Sequence, residues 1–260
     1  MKKPVIAIVS LTCCEGCQVA IMDLGERFFK LAGHLIIGDF SFVQEQAAHK
    51  SFDITFIEGT PITKENIENI KKIRSQSRFL IPIGACACLG GIAEIKNSLN
   101  KDETIRYVYR NVEFINNPDI KPVSAYVSVD LEIPGCPINK EEFFSLTKKI
   151  IAYLSSGKQE KLNIKIPEQP VCYECQLRQN ICLLQHREAC LGPIMLGGCN
   201  APCPSSGYPC DGCRGPLKEP MAARNLRKIL SEKFSPGEIN KILERFGVKD
   251  QLEEKVRTQK

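Results

Sequence analysis

Short runs of β-branched and aliphatic residues recur at positions 5–11, 34–42, 52–58, 79–85 and 125–133, each bounded by turn-forming or polar residues. They predict five strands. Between or after them, apolar residues spaced for one face of a helix run over 18–31, 64–75 and 140–154, with Thr63 and Asn139 standing as N-caps of the last two. Strands alternating with amphipathic helices specify an α/β fold on a parallel sheet, in the doubly wound, flavodoxin-like arrangement.

That pattern stops at the polar stretch "SSGKQEKLNIKIPEQP", residues 155–170, which reads as a linker. The predicted organisation is a flavodoxin-like domain over 1–157, a linker over 158–171 and a second region over 172–260. Residues 172–213 hold eight cysteines in 42 positions among Gly and Pro, with too little periodic apolar material to fold unaided. Beyond Cys213, "PMAARNLRKILSEKF" and "SPGEINKILERFGV" predict two amphipathic helices, the second capped by Ser235 and ended by Gly247.

Composition narrows the function classes. The net charge of +5 comes from 35 basic and 30 acidic residues dispersed along the chain, without the polybasic block of a nucleic-acid or anionic-membrane binder. The longest charge-free run, 79–93, is interrupted by Pro82, Gly84, Gly90 and Gly91, so no membrane-spanning helix is expected. The basic start and apolar run of "MKKPVIAIVSL" lead into cysteines and acidic residues without a small-residue cleavage site, and predict the first strand of a cytoplasmic protein. In a reducing compartment, 14 cysteines point to metal or redox chemistry before disulfides.

Parallel α/β sheets bind ligands in the crevice outside the carboxyl ends of their strands. Here those ends carry Cys13, Cys14 and Cys17 after the first strand, Glu58 and Gly59 after the third, Cys86 and Cys88 after the fourth, and Cys136 after the fifth. No G-x-G-x-x-G or G-x-x-x-x-G-K follows the first strand, which argues against a phosphate loop. A lone cysteine is more often a small buried residue. Cysteine at three strand tips predicts convergence on one site, and "LTCCEGCQ" leaves open whether Cys13 or Cys14 partners Cys17, or whether the tandem pair itself ligates.

In the second region Cys172-x2-Cys175 opens the series, Cys210-x2-Cys213 closes it, and Cys182, Cys190, Cys199 and Cys203 lie between. Eight thiolates suit either two zinc ions or two cubane iron–sulfur clusters. Irregular gaps of six, seven, eight, three and six residues favour clusters over zinc ribbons, as do the glycines and prolines of "CLGP", "GGCN", "APCP" and "DGCRG". Cys14, Cys17, Cys86 and Cys136 would add a third four-cysteine site, and three cubanes make a chain for electrons.

These motifs, "LTCCEGCQ", "IGACACLGG", "PGCP" and "CYECQ…C…ACLGP…GGCN…CP…PCDGCRGP", resemble the small subunit of nickel-iron hydrogenases, in particular the delta subunit of the soluble cytoplasmic sulfhydrogenase or NAD(P)-linked type. The resemblance runs from the first strand to Arg214. It implies three 4Fe-4S clusters: a proximal one on Cys14, Cys17, Cys86 and Cys136, a distal one on Cys172, Cys175, Cys182 and Cys190, and a medial one on Cys199, Cys203, Cys210 and Cys213. It also implies that the nickel-iron centre and any flavin reside on partners, a hydrogenase large subunit and a flavin- or iron-sulfur-bearing electron-transfer subunit. Cys172 stands where many members have histidine, and Cys203 supplies a fourth medial thiol where many have three and a 3Fe-4S cluster. Gly16 and Gly91 occupy the places where oxygen-tolerant relatives carry two extra cysteines, which implies an ordinary proximal cubane.

Cys13 and Cys88 remain as packing residues beside the cluster, with a switchable fifth ligand as the lesser alternative, and His186 reads as a local hydrogen-bonding or surface residue before a ligand, because four cysteines already fill that site. His34 and His49 carry no signal. Glu15 reads as proton-passing, cluster-tuning or simply solvent- or partner-facing, Glu58 as lining the crevice or capping a helix, and Arg214 as a subunit-contact residue. Two rivals stand beside the electron-transfer reading. One is a quinone-linked, complex I-type or energy-converting-hydrogenase-type cluster subunit, which the eight-cysteine region disfavours; the other is a structural zinc scaffold.

Overall fold

The computed structural model describes residues 3–40, 42–43, 49–115, 118–156, 162–166, 168–218, 226, 228–249 and 251–252. The chain forms two compact units, Met1–Lys165 and Ile166–Lys260.

The first unit is built on strands β1 (Val5–Ser10), β2 (Ile36–Phe40), β3 (Phe52–Glu58) and β4 (Ser77–Ile83), all parallel and ordered β2-β1-β3-β4. β1, β3 and β4 are near-continuous apolar runs because helices cover both sheet faces, and Ile8, Ile54, Phe56, Ile57, Leu80 and Ile81 are almost wholly buried. The register places Ser10 opposite Glu58, Glu58 opposite Ile83, and Ile83 beside Ile133 in a parallel bridge. One row of residues therefore marks the carboxyl edge.

The described α-helices of this unit are α1 (Gly16–Met22), α2 (Glu26–Ala32), α3 (Lys64–Gln76), α4 (Gly84–Leu89), α5 (Lys101–Val108) and α6 (Lys140–Ser155). The predicted N-caps are present: Thr63 and Asn66 form a reciprocal capping box, and Asn139 Oδ1 accepts from the amides of Glu141 and Glu142. α6 lays Phe143, Leu146 and Ile150 into the core, with the Phe143 ring centroid 4.9 Å from that of Phe56.

Three expectations are corrected. The helix expected over 18–31 is two, because Gly25 at φ +55 leaves the helical region between α1 and α2. The strand expected over 34–42 is confined to Ile36–Phe40, residue 41 lying outside the described residues. The fifth strand expected over 125–133 does not form: a 3₁₀ turn occupies Val123–Ala125, and a single bridge joins Ile133 to β4. Pro82 explains this, since it offers the neighbouring segment a carbonyl and no N–H. The amides of Asp130 and Ile133 donate to the carbonyls of Leu80 and Pro82, while the Leu80 amide turns to the Asp130 side chain.

The described residues of the second unit carry little regular structure. α7 (Val171–Leu177) and α8 (Pro202–Ser205) precede helical residues 226 and 228–231 and helix α9 (Pro236–Glu244), which Ser235 and Glu238 start with a second capping box. Residues 219–225 and 227, which include the first six residues of the first predicted terminal helix, lie outside the described residues, as do 157–161 and 167 in and beside the predicted linker. Antiparallel bridges join Pro170 to Leu196 and Met195 to Pro216, and Val171, Leu191, Ile194, Met195, Leu230, Leu243 and Val248 are buried.

Candidate metal-cluster sites

The carboxyl-edge row of the first unit decides where its cysteines go. Cys14 and Cys17 leave the end of β1, with Cys17 buried in the first turn of α1. Cys86 lies in α4, which follows β4 without a loop. The amides of Gly84 and Ala85 donate to the carbonyls of Ile133 and Gly135, which draws the segment bearing Cys136 to the same edge. The thiols act on one another: burial raises the Cys86 pKa first and the charges of Cys136 and Cys14 raise it further, while Cys17, raised chiefly by burial and then by Glu58, also feels Cys136.

Glycine makes room for those sulfurs. A Cβ on Gly84 would stand 2.5 Å from the Cys17 Sγ, and one on Gly91 would stand 2.8 Å from the Cys86 Sγ. Both also sit at positive φ, +84° and +65°, where a side chain is strained regardless of space.

Two buried residues from the tip of β3 hold the ligand helices. Glu58, 2% exposed, accepts from the amides of Cys17 (3.0 Å) and Gln18 (3.1 Å), so it caps α1 from 41 positions away in sequence. Thr60 Oγ1 donates to the carbonyls of Cys86 (3.2 Å) and Gly90 (3.1 Å), fixing α4. Of the two roles expected for Glu58, crevice lining or helix capping, the second is realised. Thr60 was not among the expected site residues, nor was the fully buried Gln18, whose Nε2 donates to Glu15 and whose Oε1 meets no donor among the described residues.

Cys13 keeps different company. Its Sγ donates to Glu15 Oε1 at 3.4 Å, and its ligand atom lies within 4.8 Å of those of Glu15 and Glu58. Burial, reinforced by those carboxylates, pushes its pKa up to about 12. Cys88, 4% exposed, turns its Sγ to the Pro82 carbonyl at 3.5 Å.

In the second unit Cys172 and Cys175 lie on α7, Cys182 in an exposed turn and Cys190 in the core. Burial first, and then the charges of Cys190, Cys175 and Cys182, raise the Cys172 pKa to about 12, so these four form one electrostatic group. Gly192 lies against it, its would-be Cβ 3.2 Å from the Cys172 Sγ and 3.5 Å from the Cys190 Sγ. Sulfur meets donors here: the Cys210 amide donates to the Cys190 Sγ (3.2 Å), and Asn180 Nδ2 to the Cys175 Sγ (3.6 Å). Cys210, raised well above the usual thiol range by burial, feels Cys190, Cys213 and Cys199. Cys203 lies on α8 beside Asp211, whose charge raises it after burial, and the Tyr208 amide donates to its carbonyl. His186, His34 and His49 are exposed. Arg214 is corrected from a subunit-contact residue to an interior one: 3% exposed, its Nε donates to the Gly197 carbonyl at 2.7 Å.

Thiols gathered at the carboxyl edge of the sheet and around Cys172, with glycine beside the sulfurs and N–H groups aimed at some of them, fit iron–sulfur clusters by the chemistry of the donor set. Such burial keeps isolated thiols protonated, so ligation would have to displace their protons.

The fold and these ordered thiols define an iron–sulfur subunit of a redox complex. Residues 14–150 match the family described as NADH ubiquinone oxidoreductase, 20 Kd subunit. Sulfhydrogenase 2 subunit delta of Pyrococcus furiosus is 35% identical over 216 residues, covering 81% of this chain and 86% of its own. A component of the F420-non-reducing hydrogenase of Methanothermobacter thermautotrophicus is 27% identical over 261 residues, covering 84% and 81%. Among solved structures, a NAD+-reducing NiFe hydrogenase in the H2-reduced state is similar with a TM-score of 0.53 and 25% identity, over 58% of this chain and 93% of that one. The actinobacterial-type NiFe hydrogenase from Ralstonia eutropha H16 shares the fold, with a TM-score of 0.60, 13% identity and 89% and 91% coverage. The chain belongs to the NADH ubiquinone oxidoreductase 20 Kd subunit family and, within it, to the hydrogenase small subunits, components of oxidoreductases acting on hydrogen.

Proposed function

We propose that this chain is the electron-transfer small subunit of a cytoplasmic nickel-iron hydrogenase, with three 4Fe-4S clusters between the nickel-iron site of a large subunit and a flavin- or iron-sulfur-bearing partner. The observation that carries the reading is the gathering of thiols at the carboxyl edge, where glycines leave the sulfurs of Cys17 and Cys86 room. In this reading Cys14, Cys17, Cys86 and Cys136 hold the proximal cluster, Cys172, Cys175, Cys182 and Cys190 the distal one, and Cys199, Cys203, Cys210 and Cys213 the medial one. Clusters of this type supply reversible one-electron transfer when bound.

The residues of the chain do the rest. Glu58 and Thr60 fix the backbones of the proximal ligands, and Gly84 and Gly91 keep side chains out of the space around Cys17 and Cys86. Asn180 and the Cys210 amide present N–H groups to distal sulfurs, which stabilises the negative charge there. Cys203 completes a fourth medial thiol, which permits a full cubane and adds negative charge that lowers its potential. A redox titration is therefore expected to lack a high-potential three-iron signal, and finding one in intact protein would contradict this role of Cys203.

Against a quinone-linked subunit stands the extent of the family match: residues 14–150 lie in the first unit, whereas the hydrogenase relatives cover 81% and 84% of the chain. No described helix is long and apolar enough to cross a membrane. Purification of the native complex under anaerobic conditions tests the assignment. A nickel-bearing large subunit and a flavin or iron–sulfur chain are expected to co-purify; co-purification with membrane-spanning quinone-site subunits would contradict it.

A further inference from the structure

Glu174 sits between Cys172 and Cys175 on α7, yet it faces the turn that carries Cys199. It is 9% exposed, and its carboxylate accepts from the amides of Gly198 (2.5 Å) and Asn200 (2.8 Å). The Cys199 Sγ lies 3.8 Å from its Oε2. The turn is an unusual one: Gly198, Asn200 and Ala201 all have positive φ, +107°, +66° and +48°, and Ala201 is fully buried. Non-glycine residues keep such angles only where their surroundings over-determine them, and successive inward amides of this kind form a nest for an anion. Here the anion is the protein's own carboxylate. Arg214 holds the preceding carbonyl, that of Gly197, and its positive charge opposes that of Glu174 at Cys199.

Building on the cluster reading above, we propose that Glu174 is a positioning residue joining two ligand sets: from the helix of Cys172 and Cys175 it holds the Cys199 turn in its ligating shape and places a fixed negative charge beside the Cys199 sulfur. Two separable consequences follow. The turn depends on the two amide bonds, which a carboxylate serves fully and glutamine serves in part. The potential of the cluster on Cys199 depends on the charge, because negative charge near the sulfurs disfavours the added electron.

The test compares wild type, Glu174→Gln and Glu174→Ala in the intact complex, by iron and sulfide analysis and by a redox titration followed by electron paramagnetic resonance. Glu174→Gln is expected to raise the midpoint of one cluster by roughly a tenfold change in its reduced-to-oxidised ratio at fixed poise, about 59 mV for one electron, with the other midpoints unmoved. Glu174→Ala is expected to lose about four irons per chain, the content of one cubane, with the remaining signals intact. If Glu174→Gln also loses one cluster and no other, the positioning role is supported through the amide bonds. Unchanged midpoints in an iron-replete Glu174→Gln chain, or loss of every cluster from either variant, would overturn the proposal. Wild-type protein without iron would instead overturn the cluster reading on which it rests.

Discussion

Cys13 and Cys14 are adjacent and chemically identical, and their surroundings separate them. Cys14 acts on Cys86, whereas the groups that act on Cys13 are burial, Glu58 and Glu15. Cys88 likewise differs from Cys86, two positions away, by turning into the core toward a backbone carbonyl. Substitution of Cys17 or Cys86 by serine is therefore expected to remove about four irons per chain, while Cys13→Ser and Cys88→Ser leave iron content at the wild-type level. Iron loss on Cys13→Ser with retention on Cys17→Ser would show that the tandem pair ligates. At this scale the thiols and their order were legible in the sequence, and their supports were not. Glu58 meets its partners 41 and 40 positions away, and Glu174 meets Gly198 and Asn200 from inside a C-x2-C spacing that treats it as filler. Long-range side-chain-to-amide bonds of this kind have no local signature.

The elements divide by whether their signals are local. The capped helices α3, α6 and α9 begin where Thr63, Asn139 and Ser235 predict, because an N-cap and its partners lie within one turn. The segment over 125–133 alternates like a strand, yet its fate was set in β4, where Pro82 interrupts the edge it would have joined. Asp130 compensates: its Oδ2 accepts from the Leu80 amide (2.9 Å) and from Arg74 Nη1 (2.6 Å), and Arg74 Nη2 donates to the carbonyls of Ser77 (2.6 Å) and Arg78 (2.9 Å). This pair is mostly shielded, at 22% and 25% side-chain exposure. Asp130→Ala leaves the Leu80 amide without its acceptor and takes from Arg74 its carboxylate partner, and is expected to cost about 1–3 kcal/mol, read as a lower denaturant midpoint with an unchanged slope. A change under about 0.5 kcal/mol, the range of ordinary surface substitutions, would show that Asp130 does not hold the segment to the sheet.

For the whole molecule, the α/β layer was legible because its periods are regular and its strand tips carry the chemistry. The Cys-rich unit was legible only as an ordered series of ligands. Among its described residues the backbone follows few periodic rules: two antiparallel bridges, short helices and turns at positive φ take the place of a layered core. In the proposed reading, the cohesion of this segment comes from what its cysteines bind. The central proposal, three four-cysteine cluster sites on one chain, is tested most directly by quantifying iron, acid-labile sulfide and zinc in anaerobically purified protein with its visible spectrum. About twelve irons and as many sulfides per chain, with broad visible absorption, are expected; colourless protein carrying two or three zinc ions in place of iron would contradict it.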